Sequence, residues 1–272
     1  MEKITSVQNT LIKETKKLQQ KKHRELQQKY LVEGVRLLEE ALKTDVLESF
    51  FYDETLLKTA RGNDLLQKIL EYQVSVSHTN VHEVTEAVLK DLAETETPQG
   101  AVAVARQKHA SLEGLRRDKA DGLLLILDGL QDPGNLGTLL RTAWACGAKA
   151  VITLPGTAEA YNGKVVRATM GSIFYIPVVP DVSWEDVFNW CREEGYTLAA
   201  GDMAGEKLYT EVAYPPKTAL VIGNEGQGLK NVRAEELDCR VRIPLANGVE
   251  SLNAAVAGGI LLYEIIRDKR LG

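Results

Sequence analysis

The chain has 272 residues, of which 44% are apolar and 26% are charged. This composition is typical of a globular protein and excludes collagen-like, disordered and coiled-coil chains. No run of 18 apolar residues occurs, and the first residues lack the apolar core of a secretory signal, so we expect neither a membrane span nor export. Cys146, Cys191 and Cys239 lie far apart without CxxC spacing, which predicts a cytoplasmic protein without a metal site.

The net charge of −5 is unevenly distributed along the chain. Residues 1–29 hold eight Lys or Arg and three acidic residues, a charge of +5, so residues 30–272 carry −10. Apolar residues at helical spacing, including Ile12 and Leu18, predict a helix in this basic arm, with Ser6 as a candidate N-cap. Such a helix is either a solvated surface helix or one that lies against RNA phosphates. The second interpretation assigns RNA contacts to Lys16, Lys17, Lys21, Lys22 and Arg24.

The first third of the chain alternates short strands and helices. We predict strands at 29–34, 46–52, 74–77 and 101–105, with helices at 35–43, 54–71 and about 80–90. This pattern indicates a small α/β domain over residues 1–105. Residues 106–119 hold five Lys or Arg and two acids, and we interpret them as a basic linker.

Residues 120–272 predict a second α/β domain. The strands are expected at 123–128, 150–153, 196–200, 218–223 and 239–243, and the helices at 136–146, 162–169, 184–194 and 251–267. The first strand is continuously apolar, which is typical of a parallel sheet covered on both faces. Ser183 is a candidate cap of the third helix. We place Trp144, Trp184 and Trp190 in the core or an interface rather than in a base-stacking platform.

Three segments rich in glycine and polar residues follow strands of this domain, at 127–141, 221–229 and 242–259. Ligands of open parallel sheets bind beyond the carboxyl ends of the strands, so these segments can form one site. The dinucleotide fingerprint G-x-G-x-x-G and the phosphate loop ending in G-K-[ST] are both absent, which disfavours a dinucleotide enzyme. All four histidines precede Gly122, so a histidine base is not expected in this site.

The three segments carry a recognisable series of motifs. These are Asn135-Leu-Gly137-x3-Arg141, then Gly223-Asn224-Glu225-Gly226-x-Gly228, then Ile243-Pro244-x6-Ser251-Leu252-Asn253. The series resembles that of the SpoU (TrmH) family of the SPOUT superfamily, which are S-adenosylmethionine-dependent RNA ribose 2′-O-methyltransferases. The resemblance implies a trefoil-knotted methyltransferase domain, preceded by an α/β RNA-binding domain. It also implies a homodimer whose active site uses both subunits.

The resemblance assigns two groups of site residues. The cofactor-binding positions are Gly223, Asn224, Gly228, Ile243 and Leu252. The catalytic and substrate positions are Asn135, Arg141, Glu225, Ser251 and Asn253.

Several of these positions have more than one interpretation. Arg141 can accept the ribose proton, but a guanidinium is almost always charged, so it can instead clamp a phosphate and stabilise the developing alkoxide. It can also form a structural ion pair. Glu225 can pair with Arg141 or fix its own loop, and Ser251 can orient the hydroxyl or cap the last helix. Asn224 and Asn253 are also compatible with ordinary turn and cap roles.

The expected activity is 2′-O-methylation of a ribose in structured RNA, with 23S ribosomal RNA as the favoured substrate. Two alternatives remain open at this point. One is a transfer RNA methyltransferase, and the other is a non-catalytic RNA-binding factor for ribosome assembly.

Overall fold

A computed structural model describes residues 3–75, 79–116 and 122–267. The chain divides into two compact units. Unit 1 comprises Met1–Gln107 and Tyr161–Phe174, and unit 2 comprises Lys108–Ala160 and Tyr175–Gly272. The predicted domains, 1–105 and 120–272, are each continuous in sequence, whereas unit 1 also includes Tyr161–Phe174.

Unit 1 is built on a four-stranded sheet among its described residues. The strands are β1 (Lys29–Glu33), β2 (Leu47–Tyr52), β3 (Asn80–Glu83) and β4 (Ala101–Arg106), in the order β1-β4-β2-β3. β4 pairs antiparallel with β1 and β2, whereas β2 and β3 are parallel. The helices are α1 (Thr10–Lys17), α2 (Lys21–Gln27), α3 (Val35–Ala41), α4 (Glu54–Leu57), α5 (Ala60–Ser75) and α6 (Glu86–Leu92). Ile12, Phe51 and Leu89 are fully buried in its core.

The basic arm differs from its prediction. It forms two helices instead of one, and Asn9, not Ser6, caps α1 by accepting a hydrogen bond from the Leu11 amide. Arg24 is only 3% exposed, and its guanidinium donates to the carbonyl oxygens of Leu18 and Gln19 at 2.9 and 2.8 Å. This is a correction: Arg24 holds the turn between α1 and α2 and is not available to an RNA phosphate.

Two further elements of unit 1 differ from their predictions. Val74 and Ser75 belong to α5 rather than to a strand, because the helix continues past the buried Leu65 and Ile69; residues 76 and 77 lie outside the described residues. The strand is instead β3, and α6 starts later than expected, after the Thr85 cap.

Unit 2 contains a parallel sheet of seven strands among its described residues. These are β5 (Leu123–Leu127), β6 (Ala150–Thr153), β7 (Val178–Val179), β8 (Thr197–Gly201), β9 (Lys207–Leu208), β10 (Thr218–Ile222) and β11 (Cys239–Arg242). Their order is β7-β6-β5-β10-β8-β11-β9. The helices that follow α6 are α7 (Leu112–Arg116), α8 (Pro133–Ala145), α9 (Gly163–Ala168, in unit 1), α10 (Trp184–Glu194) and α11 (Ala254–Ile265).

The predicted α/β class, with a parallel sheet, is confirmed, and the sequence explains its main elements. Every residue of β5 is buried, as its continuous apolar pattern predicts. Ser183 caps α10 as predicted, and Gly195 ends it in the left-handed conformation at φ +74°. The predicted linker contains the short helix α7, with residues 117–119 outside the described residues. Trp184 and Trp190 are core residues, whereas Trp144 is 45% exposed.

The position of α11 is set by small residues. A Cβ built on Gly258 would lie 2.5 Å from the Leu139 side chain of α8, so a larger residue there would force that side chain to shift. This packing places the N-terminus of α11 near that of α8. No helix among residues 3–75, 79–116 and 122–267 combines the length and apolar character needed to cross a membrane.

Candidate functional site

The loops that follow β5 and β10 are joined by the carboxylate of Asp128. This side chain is fully buried at the end of β5. It accepts hydrogen bonds from the backbone amides of Lys230, Asn231 and Val232 at 2.6 to 3.2 Å, and from the Asn231 side-chain amide at 2.6 Å. A buried carboxylate is tolerated when such donors surround it. Asp128 therefore fixes the chain that follows the second motif.

The second motif forms a tight loop between β10 and this anchor. The backbones of Asn224 and Gly228 exchange two hydrogen bonds, at 2.7 and 3.0 Å. The Asn224 side chain accepts from the amides of Gly226 and Gln227 and donates to the Gly129 carbonyl at 2.8 Å. A Cβ built on Gly223 would lie 2.5 Å from the Gly228 backbone, so glycine is required at this close approach. Asn224 thus has the turn role that we considered for it.

The three motifs meet in one hydrogen-bonded network. The Asn253 side-chain amide donates to Asn135 Oδ1 at 2.8 Å, and Asn135 Nδ2 donates to Glu225 Oε1 at 3.1 Å. Glu225 also accepts from the Asp132 amide at 3.3 Å. Asp132 caps α8, and Asn253 caps α11 through the amides of Ala255 and Val256. The two helix N-termini and the loop after β10 are therefore held together by polar side chains.

A cleft of about 440 Å³ lies beside this network. It is formed by the loop after β10, the segment between β11 and α11, and the end of β8. All five predicted cofactor-binding residues line it: Gly223, Asn224, Gly228, Ile243 and Leu252. Glu225 and Ser251 also line it. The structure thus brings the predicted cofactor residues together around a single cavity.

Two predicted catalytic residues, Arg141 and Ser251, lie outside the hydrogen-bonded network of Asn135, Glu225 and Asn253. Arg141 is exposed on α8, outside the residues that line the cleft, and has no hydrogen bond or ion pair within the described residues. The predicted alternatives of a Glu225–Arg141 pair and of another structural ion pair for Arg141 are therefore not observed, since Glu225 contacts Asn135 instead. Ser251 is exposed at the cleft and does not cap α11, because Asn253 takes that position.

The predicted RNA-contacting lysines of unit 1 lie on the surface of α1 and α2. Lys16 forms an ion pair with Asp91, Lys17 with Glu14 at 2.7 Å, and Lys21 with Glu25 at 3.5 Å. Lys22 is exposed and has no ion pair within the described part of the chain. Exposed pairs of this kind contribute little to stability, so these ammonium groups can exchange a carboxylate for a phosphate.

One part of the cleft was missed by the sequence reasoning. Gly201, Asp202 and Met203 line the cavity at the carboxyl end of β8, and Arg240 of β11 pairs with Asp202 at 3.4 Å. The signal was present, because a Gly-Asp-Met-Ala-Gly run follows an apolar parallel strand. The run does not belong to any of the three motifs, so it was not predicted as part of the site.

The two buried thiols of unit 2 do not suit covalent catalysis. Burial raises the pKa of the Cys146 thiol to about 11 and that of Cys191 to about 12, so both are protonated at neutral pH. His109 belongs to unit 2, contrary to our expectation that no histidine would, but it lies beside Val178 of edge strand β7. Desolvation lowers the pKa of His109. No group of three or more metal-binding side chains occurs within the described residues.

Comparison with known families settles the relationship that the motifs suggested. The model of the SpoU rRNA Methylase family matches residues 122–263, more than half of the chain. The chain belongs to the SpoU rRNA methylase family. A second model, the MRM3-like substrate binding domain, matches residues 9–103, so the predicted N-terminal substrate-binding domain is confirmed as well.

Named relatives align along most of the chain. A Bacillus subtilis protein named 23S rRNA (guanosine(2553)-2′-O)-methyltransferase RlmP is 37% identical over 267 residues, covering 97% of this chain and 99% of the relative. A Bordetella pertussis protein named 23S rRNA (guanosine-2′-O-)-methyltransferase RlmB is 34% identical over 80% of this chain and 89% of its own length. The family predicted from the three motifs is therefore confirmed.

Solved structures resemble both units together. The AdoMet-bound rRNA methyltransferase from Sinorhizobium meliloti has a TM-score of 0.87 at 31% identity and covers 99% of both chains. AviRb from Streptomyces viridochromogenes, a SpoU methyltransferase in complex with AdoMet, has a TM-score of 0.84 at 28% identity, over 96% of this chain and 98% of its own. The trefoil knot stays a prediction.

The Asp128 anchor gives a prediction about stability. Replacing Asp128 with Ala leaves four donors without their acceptor, and we expect a loss of about 3–5 kcal/mol in the free energy of unfolding. The matched control is Asp132→Ala, which removes only the α8 cap and should cost about 1 kcal/mol. Chemical denaturation of both variants measures the difference. Equal losses for the two would contradict the anchoring role of Asp128.

Proposed function

We propose that this protein transfers a methyl group from S-adenosylmethionine to a ribose 2′-hydroxyl of 23S ribosomal RNA. The observation that carries the proposal is the cleft lined by Gly223, Ile243 and Leu252 beside the Asn135–Glu225–Asn253 network. An apolar cavity with convergent polar groups suits a small cofactor, and the adjoining polar side chains suit a reacting hydroxyl.

The residues of the cleft fit S-adenosylmethionine. A Cβ built on Gly228 would meet nothing within 4 Å, so a planar base or a bent chain can approach the Gly228 backbone closely, whereas Gly223 allows the loop to close against Gly228. Ile243 and Leu252 supply apolar walls, and the Glu250 carboxylate supplies negative charge for a sulfonium. The Asp202 carboxylate pairs with Arg240, so it supplies hydrogen-bond acceptors for hydroxyls rather than an uncompensated charge. When bound, the cofactor supplies an electrophilic methyl group.

The chain's own contribution to the reaction is positioning and electrostatics. Asn253 donates a hydrogen bond to Asn135, and Asn135 donates one to Glu225, so these side chains are held in fixed positions, and we assign them to orienting the ribose hydroxyl. A guanidinium is charged in proteins, and that of Arg141 has no hydrogen bond or ion pair with any residue that the structure describes. We assign it to the target phosphate and to the negative charge that develops on the ribose oxygen.

The choice of 23S rRNA rests on the relatives and on the two-unit organisation. RlmP and this chain align over nearly their full lengths, and the name of RlmP gives a guanosine of 23S rRNA as its target. We propose a guanosine as the modified nucleotide here too, with unit 1 and the lysines of α1 and α2 holding the surrounding RNA. We also propose that the enzyme works in the cytoplasm, where ribosomes are assembled.

We further propose that the protein acts as a homodimer through α11. Val256 and Tyr263 of this helix are 52% and 53% exposed, and Gly259 and Ile260 lie between them on the same face. An exposed apolar stripe of this kind favours a partner surface. Because α11 packs on α8, a second copy bound there would lie close to the helix that carries Arg141.

The close approach at Gly223 gives a test of the cofactor site. Gly223→Ala places a Cβ against the Gly228 backbone, and the loop must shift, so we expect S-adenosylmethionine affinity to fall at least about tenfold. In the control Gly226→Ala, the new Cβ meets nothing closer than 3.9 Å, and affinity should change by less than about threefold. Isothermal titration calorimetry measures both. Unaltered binding by Gly223→Ala would mean that the cofactor lies elsewhere.

Methyl transfer tests the activity itself. Wild-type protein with labelled cofactor should label an unmodified 23S rRNA transcript, and Arg141→Ala should lower kcat by about 10²–10³ because transition-state charge is left uncompensated. Lys207→Ala removes another exposed cation of unit 2 and should keep the wild-type rate. If only transfer RNA is labelled, the substrate is transfer RNA and not 23S rRNA. Binding of RNA and cofactor without any transfer would favour the non-catalytic alternative, and a fully active Arg141→Ala would refute the role of that residue.

A charged residue in the exposed apolar stripe of α11 tests whether the protein forms the proposed dimer. Val256→Asp should convert a dimer to a monomer in sedimentation velocity, because two desolvated carboxylates would face the interface. The control is Val74→Asp, at an 87% exposed position of unit 1, which should leave the mass unchanged. A wild-type monomer, or a variant that dimerises normally, would contradict the proposal.

A further inference from the structure

Lys230 follows the second motif, and its backbone position is fixed by the Asp128 anchor. Its amide donates to Asp128 Oδ2 at 2.6 Å, and the next residue, Asn231, bonds both Asp128 and the Pro155 carbonyl. Pro155 belongs to the loop that follows β6. Lys230 therefore lies where the loops after three neighbouring strands, β6, β5 and β10, converge at the carboxyl edge of the sheet.

The side chain of Lys230 extends across two glycines. A Cβ built on Gly129 would lie 3.3 Å from Lys230 Cδ, and one built on Gly156 would lie 3.5 Å from Lys230 Nζ. Both glycines have positive φ, +69° and +85°, so larger residues would be strained there as well as close to the lysine. The aliphatic stem thus rests on bare backbone, and the ammonium is held beside the loop after β6.

The positive charge of Lys230 is not neutralised. Its ammonium has no hydrogen bond or ion pair among residues 3–75, 79–116 and 122–267. Neighbouring cations differ: Arg233 pairs with Glu236 at 2.7 Å, and Arg240 pairs with Asp202. Lys230 is therefore held in place without a counterion among the described residues, although residues 30–272 carry a net charge of −10. Its charge is available to an anion.

The position of Lys230 discriminates between two anions. The residues before it, Gly228 and Leu229, line the cofactor cleft, but Lys230 does not. Its stem lies beside Gly129 and its ammonium beside Gly156, and neither glycine lines the cleft. A phosphodiester of the RNA is therefore a better match than the carboxylate of the cofactor, since an RNA strand at the Asn135–Asn253 network extends beyond the reacting nucleotide.

We propose that Lys230 binds a backbone phosphate of the RNA strand that carries the target ribose, on the floor formed by Gly129 and Gly156. The proposal rests on the proposed function, because it takes RNA as the substrate. In this role Lys230 fixes the register of the strand and carries no base preference of its own. It complements Arg141, so two cations on different elements, neither of which is paired with a described residue, hold the strand.

Equilibrium binding of an unmodified 23S rRNA transcript tests this role. In filter binding over roughly 50–200 mM salt, Lys230→Ala should raise the Kd about three- to tenfold and reduce the slope of log K against log salt by about 0.7–0.9, the value for one lost phosphate contact. Lys230→Arg should restore the slope. Lys207→Ala, the matched exposed lysine on β9, should behave as wild type. A purely structural lysine would not change the salt slope.

The outcomes separate this proposal from the proposed function. An unchanged Kd and salt slope for Lys230→Ala, in an enzyme whose wild type methylates the transcript, would overturn the role of Lys230 alone. Weaker S-adenosylmethionine binding with unchanged RNA binding would assign Lys230 to the cofactor and also overturn it. A wild type that binds the transcript but transfers no methyl group would refute the proposed function, while a reduced salt slope of Lys230→Ala would still support the phosphate contact.

Discussion

The buried carboxylate of Asp128 is the interaction on which the rest of the site depends. It sits at the end of β5 and binds the backbone of the chain after β10, and both strands lie at the centre of the parallel sheet. This contact closes the loop that contains Gly223, Asn224 and Glu225. Without it, four hydrogen-bond donors would lose this acceptor, and the chain after the loop would lose its attachment to the end of β5.

From this anchor the network extends to two helix N-termini. Glu225 contacts Asn135 on α8, and Asn135 contacts Asn253 at the start of α11. Asn253 therefore both caps α11 and joins the network, and Glu225 both joins the network and lines the cleft. The site is rigid because its polar groups bind each other, which is the condition for positioning a ribose hydroxyl against a methyl donor.

The sequence predicts a large part of this architecture. Local signals in the sequence predict the buried strand β5 and the N-cap of α10. The ordered series of three motifs predicts the family without any structural information. The partners of Asp128 could not be predicted, because they lie about 100 residues away and are backbone amides, which any sequence has. Asp202 differs, because the Gly-Asp-Met-Ala-Gly run after β8 is a local signal, but the pairing of β8 with β11 was needed to show that it lies beside the segment after β11 at the cleft.

Other features needed packing information. Arg24 belongs to a basic segment, and nothing in its sequence distinguishes it from its neighbours Lys21 and Lys22. Only the turn between α1 and α2, where its guanidinium meets two carbonyl oxygens, shows that it is buried. Likewise, the assignment of Tyr161–Phe174 to unit 1 depends on contacts that no local pattern records.

We propose that the cleft beside the Asn135–Glu225–Asn253 network holds S-adenosylmethionine, whose methyl group is transferred to RNA. A crystal structure of the protein with this cofactor would show where it binds. We predict density between Gly223, Ile243 and Leu252, with the methyl group directed toward Asn135 and Asn253. Cofactor bound outside this cleft, or with its methyl group directed away from the network, would show that methyl transfer does not take place here.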